Sequence, residues 1–279
     1  MKLSDFRRPS TLKEASSLLK ELGDDGLPIA GGTALHFLTT LKDKTAVDIT
    51  GLGLDGIKDN GCHFEIGSTT YVSDLMKRRD GWVLCQVAKK MSTNQIRHMA
   101  TVGGNIVSVF PWADFPVALL ALDGRAEIIG NSDRLVDFDD YFKAQPARLF
   151  EPGDLLKSIK VRKLIKNEGF GYHKEVRTAA GFSMVTAAAR VMVTDEKIEE
   201  ARVAVGACTG IPRRLTDVED AVKGIAVDWK EINKVVIDAT KNRKWKLIEA
   251  QGVEYTAHLV QTVITDAIFN GCQNLNKEA

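Results

Sequence analysis

Thr101-Val102-Gly103-Gly104-Asn105, continued through Pro111 and Asp114 to Pro116-Val117-Ala118-Leu119-Leu120, is the stretch around which this chain is organised. Two adjacent glycines let a backbone turn sharply and approach a ligand closely, because no Cβ intervenes. The β-branched pair before them and the amide after them predict a strand running into a polar loop. A shorter relative, Ile29-Ala30-Gly31-Gly32-Thr33, lies upstream. Two such turns are able to hold two sides of one phosphate-bearing ligand.

The upstream turn is predicted to precede a short helix, Ala34 to Leu41, with Thr33 as its N-cap. Backbone N–H groups and the positive dipole end would there form an anion site without a charged side chain. Taken alone, Gly-Gly-Thr is more often just a tight turn. No G-x-G-x-x-G and no lysine follow these glycines, so neither a Rossmann fingerprint nor a P-loop is present. In the second stretch Asn105 supplies donors and an acceptor, Thr101 a hydroxyl, and Asp114 a carboxylate able to hold ribose hydroxyls. The alternative is a strand end in which Asn105 satisfies its own loop.

Around these turns the pattern alternates between helix and strand. Residues 11–22 read as a helix with a Thr11/Glu14 capping box and an Ala15, Leu18, Leu19, Leu22 stripe. Short strands follow at Leu27 to Ala30, Val47 to Ile49 and Phe64 to Gly67. Helices are expected through Arg79 with Ser73 as the cap, from Trp82 to Met91, and from Asp114 to Leu122, where Pro116 sits in the first turn. Ala126 to Ile129 and Leu155 to Val161 are strands, joined by a polar link over 131–148. Beyond it, Phe182 to Val193 and Ile198 to Ala207 form a hairpin through Asp195-Glu196-Lys197. Thr216-x-x-Glu219 reads as a second capping box, and helices occupy Val227 to Thr240 and Tyr255 to Phe269. The result is an α+β chain in two lobes with a boundary near 163–170.

The bulk numbers exclude several classes. The 279 residues carry 38 basic and 37 acidic side chains, a net charge of +1, which gives no reason to propose nucleic acid as a partner. No apolar run reaches the roughly 18 residues of a spanning helix, and Met1 to Ser10 lacks a signal h-region, so a cytoplasmic protein without membrane insertion is expected. Cys62, Cys85, Cys208 and Cys272 form no CxxC pair, and the five histidines show no ligand spacing. Neither a metal site nor an iron–sulfur cluster is therefore expected on this chain, and no acid–base or nucleophilic set marks a catalytic residue.

In combination, Ala30-Gly31-Gly32-Thr33, Gln95-Ile96-Arg97, Thr101-Val102-Gly103-Gly104-Asn105, Pro111, Asp114 and Pro116 to Leu120 resemble the FAD-binding medium subunit of molybdenum hydroxylases, the family of xanthine dehydrogenase and carbon monoxide dehydrogenase. The likeness continues through Glu151-Pro152-Gly153-Asp154-Leu155-Leu156, Gly171-Tyr172-x-Lys174 and Ala201-Arg202-Val203-Ala204-Val205-Gly206, and so covers nearly the whole chain in order.

The resemblance implies a two-part FAD-binding domain of the vanillyl-alcohol-oxidase type over 1–165, divided near residue 52, and a smaller α+β domain over 166–279. It implies that Pro28, Ile29, Ala30, Gly31, Gly32, Thr33, Ala34 and Leu35 wrap the FAD pyrophosphate. Thr101, Val102, Gly103, Gly104 and Asn105 would contact pyrophosphate and ribityl, with Asp114 on the adenosine side. Met91, Leu156 and Lys174 fall near further flavin contacts, and Phe182 beside the isoalloxazine ring. The implied role is an electron-transfer oxidoreductase subunit. Molybdopterin would reside on a large partner subunit and [2Fe-2S] clusters on a small one, with NAD or another acceptor taking the electrons. Two other roles are a stand-alone FAD reductase or oxidase and a flavin-free assembly subunit. The chain departs from the family at Val107 to Trp112, where Phe110 and Trp112 replace small residues, and at 178–181, which lacks the usual acidic residue.

Overall fold

In the computed structural model, residues 3–37, 43–78, 82–143, 149–246 and 252–276 are described. The chain gathers into two compact units: Met1–Asp80, Thr93–Val109 and Gly124–Val161 in the first, and Gly81–Ser92, Phe110–Asp123 and Arg162–Ala279 in the second.

In the first unit, helix α1 (Leu12–Leu22) starts where the sequence predicts. Thr11 Oγ1 accepts from the Glu14 N–H at 3.1 Å, while the Glu14 carboxylate reaches back to the Ser10 N–H at 2.7 Å, a capping box offset by one residue. Ala15 and Leu19 of α1 pack with Val47, Ile49 and Leu155. Strands β1 (Asp5–Arg7), β2 (Gly26–Ile29) and β3 (Thr45–Asp48) form a parallel sheet with β3 in the centre. A five-stranded sheet has the order β4 (Ile57–Asp59), β5 (His63–Gly67), β8 (Leu155–Arg162), β6 (Arg125–Ile129), β7 (Arg134–Asp137).

Three expectations fail here. The polar link over 131–148 contains β7 and helix α7 (Phe138–Lys143), whose Phe138, Tyr141 and Phe142 are buried. Those three aromatics recur at helical spacing, a pattern hidden by the surrounding charges. Helix α2 (Val72–Leu75) starts after Tyr71 without a side-chain cap, so Ser73 does not cap it; Arg79 lies outside the described residues. The decisive difference is helix α5 (Val102–Val107): the second Gly-Gly pair sits inside the first turn of a helix, not in a loop after a strand.

The second unit is built on an antiparallel sheet ordered β12 (Arg213–Arg214), β11 (Lys197–Gly206), β10 (Ser183–Thr194), β9 (Glu168–Val176). The β10–β11 hairpin turns at Asp195 (φ 49°) and Glu196 (φ 58°), the backbone of a type I′ turn made without glycine. Helix α10 (Val253–Gln273) covers one face of β9 and β10, and helix α6 (Asp114–Ala121), buried along its whole length, packs against β10 and β11. Gly171 permits the first contact, since an added Cβ would stand 2.0 Å from the Ala267 carbonyl oxygen of α10. Side chains alternate along β9. His173, in step with Gly171, meets Asp266 of α10, while Tyr172 and Lys174 meet Asp114 of α6. Helices α3 (Val83–Lys90), α8 (Thr216–Ala221) and α9 (Trp229–Thr240) complete the unit. The capping box at α8 does not form: the Glu219 carboxylate accepts from the Val203 N–H and the Arg214 Nε, each at 2.9 Å.

Candidate functional site

In the first unit, β2 carries Pro28 and Ile29 into a loop containing Ala30, Gly31, Gly32, Thr33 and Ala34. Gly31 has no room for a side chain: an added Cβ would lie 1.8 Å from the Met99 carbonyl oxygen and 3.3 Å from the Ala100 Cα. Gly32 adopts φ +68°, where glycine alone is unstrained. The turn closes when the Leu35 N–H meets the Gly32 carbonyl at 3.2 Å, and a single 3₁₀ turn follows, Leu35–Phe37. The expected helix from Ala34 to Leu41 is therefore only that turn among the described residues; 38–41 lie outside them. One turn carries little dipole, so the donors are the loop amides themselves. Among the described residues, the N–H groups of Gly31, Gly32, Thr33 and Ala34 donate to no protein acceptor.

The contact made by Gly31 brings the two glycine pairs together, because Met99 and Ala100 directly precede the Thr101 cap of α5. Here every early N–H is engaged. Val102 donates to the Thr70 carbonyl at 2.9 Å and Gly103 to the Ser68 carbonyl at 2.8 Å. Gly104 donates to Thr101 Oγ1 and Asn105 to the Thr101 carbonyl, both at 3.1 Å. Gly103 is required by the chain: an added Cβ would stand 2.6 Å from the Ser68 carbonyl oxygen.

A cavity of about 400 Å³ is lined by Pro28 and Ala30, which precede the first glycine pair, and by Gly103 and Gly104 of the second. Leu19, Leu27, Ile49, Phe150, Leu155 and Leu156 give it an apolar wall. Its Glu151 to Asp154 rim is held by the Asp154 carboxylate. Burial alone would raise that acid, but Arg134 at 2.7 Å and the N–H groups of Glu151 (3.0 Å) and Asn131 (3.2 Å) keep it below its ordinary value. Ser68, which the sequence reading passed over, also lines the cavity, and its buried hydroxyl has no partner among the described residues. No sequence signal distinguishes it within Ser68-Thr69-Thr70.

The second unit holds the other expected residues. Asp114 is buried in the first turn of α6, and its Oδ1 accepts from Lys174 Nζ at 2.8 Å and the Tyr172 hydroxyl at 2.6 Å. Burial raises the Asp114 acid, against the pull of Lys174 and Tyr172; burial and Asp114 push the Tyr172 phenol well up. Phe110 stacks on Trp112 with centroids 5.0 Å apart and planes at 3°, and Trp112 meets Phe182 at 5.0 Å. The bulky residues inside the motif thus build an aromatic row ending on Phe182, itself 57% exposed. Met91 is buried at the end of α3.

Residues 2–162 match the family model described as the FAD binding domain in molybdopterin dehydrogenase, and residues 170–269 that of the CO dehydrogenase flavoprotein C-terminal domain. The chain is 27% identical over 244 residues to the carbon monoxide dehydrogenase medium chain of Afipia carboxidovorans, covering 83% of this chain and 84% of that one. It is 23% identical over 279 residues to the nicotine 6-hydroxylase medium subunit of Paenarthrobacter nicotinovorans, covering 96% and 98%. In fold it is similar to a chain of carbon monoxide dehydrogenase from Hydrogenophaga pseudoflava, with a TM-score of 0.91, 22% identity and 99% of each chain covered.

Proposed function

This chain belongs to the family of FAD-binding medium subunits of molybdenum hydroxylases, and from that premise we propose that it passes electrons between a partner's [2Fe-2S] clusters and NAD or another acceptor. Its partners are a large molybdopterin-binding subunit, where substrate is oxidised, and a small iron–sulfur subunit. The complex is cytoplasmic; among the described residues, no helix is long and apolar enough to cross a membrane.

The observation that carries this reading is the run of four N–H groups, Gly31 to Ala34, that donate to no protein acceptor among the described residues and directly follow Ala30, which lines the cavity of about 400 Å³. Consecutive free amides suit the oxygens of a diphosphate, and they explain how an anion is held with no lysine or arginine in the motif. Bound FAD supplies the redox chemistry; the protein supplies position and environment. The loop from Pro28 to Leu35 holds the diphosphate, and Thr101 to Asn105 brace that loop through the Gly31 contact. Leu156 and its apolar neighbours exclude water from the ligand. Asp114 acts by fixing Lys174 and Tyr172, since its own carboxylate is buried. Met91 and Phe182 are assigned to the flavin environment by family position.

The test is direct. The purified full chain should carry FAD, or take it up in one-to-one stoichiometry when it is added, and should co-purify with an iron–sulfur chain and a molybdenum chain. A well-folded preparation that stays colourless with excess FAD defeats the proposal.

A further inference from the structure

Ser68 follows β5 and is 3% exposed. Its backbone is fixed on both sides: its N–H donates to the Lys157 carbonyl at 3.0 Å, and its carbonyl accepts from the Gly103 N–H. Its side chain is confined as well, because a Cβ added to Gly103 would come within 2.7 Å of Ser68 Cβ. The hydroxyl nevertheless has no hydrogen-bond partner among the described residues, although the residue lines the cavity. Of the two hydroxyls that follow, that of Thr69 is likewise without a partner among the described residues but does not line the cavity, whereas Thr70 donates to the Gly56 carbonyl at 3.0 Å. A buried hydroxyl without a partner is unfavourable, and such groups call for a ligand, a water or a strain role to explain them. The backbone around Ser68 gives no sign of strain, since its φ is not in the left-handed region. The position beside Gly103, Gly104 and Ala30 favours a ligand.

We propose that Ser68 is a direct cofactor-binding residue, its hydroxyl donating to a phosphate or hydroxyl oxygen of the dinucleotide in this cavity. The proposal rests on the assignment of FAD to the site. It adds a side-chain donor on the α5 side of the cavity, where the backbone amides are already engaged.

The experiment uses the full chain stripped of flavin. FAD is titrated into wild type, Ser68→Ala and Ser68→Cys, and the melting temperature of each flavin-free protein is measured. Ser68→Ala should raise the FAD Kd about tenfold, the effect of one lost hydrogen bond to a polar or charged acceptor. Its flavin-free melting temperature should equal or exceed that of wild type, because the deleted hydroxyl had no partner to lose. Ser68→Cys, which keeps a side chain of similar shape with a weak donor, should fall between the two in Kd. Wild-type FAD affinity in both variants overturns the role of Ser68 while leaving the FAD assignment intact. Lowered flavin-free stability in both variants overturns it in favour of an internal role. Failure of wild type itself to take up FAD defeats the assignment first, and Ser68 with it.

Discussion

The two glycine pairs look alike as sequence and are opposite in hydrogen bonding. At Gly31-Gly32 the backbone is shaped by one close contact and one left-handed residue, and four successive N–H groups face no protein acceptor among the described residues. At Gly103-Gly104 the N–H groups end on the Ser68 carbonyl and the Thr101 hydroxyl. Asp114, further along the second stretch, is engaged in the same way by Lys174 and Tyr172. In both pairs a missing Cβ lets two segments of the chain touch, Gly31 against Met99 and Gly103 against Ser68; only the first leaves its loop amides without a protein acceptor among the described residues.

This contrast is easiest to break at Asp114. Asp114→Ala leaves Lys174 buried without its carboxylate and should cost about 3–5 kcal/mol of stability, read by denaturant unfolding of the flavin-free chain. A variant as stable as wild type that merely loses flavin would place Asp114 with the open group instead. Gly31→Ala forces a Cβ against the Met99 carbonyl and should cost about 3 kcal/mol. It should also reduce flavin content per folded molecule, because the amide loop must move; absorbance of the refolded protein checks this. Thr101→Ala removes only an N-cap, about 1 kcal/mol, and should leave FAD affinity of the folded protein unchanged. A large loss of affinity there would erase the distinction between the two pairs.

The smallest effect concerns the cavity rim. The Asp154 acid lies below its ordinary value of 3.8 in the folded state. Its ionised form therefore stabilises the fold above that value, and the contribution is lost as pH falls through the lowered pKa. Wild type should lose stability as pH is taken below about 4, and Asp154→Asn should lose less over the same range, as measured by melting temperature against pH.

Much of this was legible in the chain. The stripe of α1, the hairpin at Asp195-Glu196 and the buried apolar run of α6 each declare themselves by spacing, because one local pattern decides one element. What failed was decided from elsewhere. Thr216 and Glu219 have capping-box spacing, yet Arg214 and the Val203 N–H capture the Glu219 carboxylate. The β-branched pair before the glycines and the amide after them predicted a loop at 103–104, whereas Thr101 caps a helix there and the approach to Ser68 demands glycine. Among the candidate residues, the glycines and Asp114 stand out by type. Ser68 does not, since burial without a partner is a property of three dimensions only.

The route of the chain carries one more consequence. Gly81–Ser92 and Phe110–Asp123 belong to the second compact unit although they are embedded in the sequence of the first. A protease nick near residue 163 would not release a self-sufficient N-terminal half. The fragment would keep α6, whose Phe115, Val117 and Leu119 are buried, and lose β10 and β11, the strands that this helix packs against. It would expose that greasy helix and be prone to clump. During synthesis the same helix must wait, unprotected, until residues beyond 206 have left the ribosome.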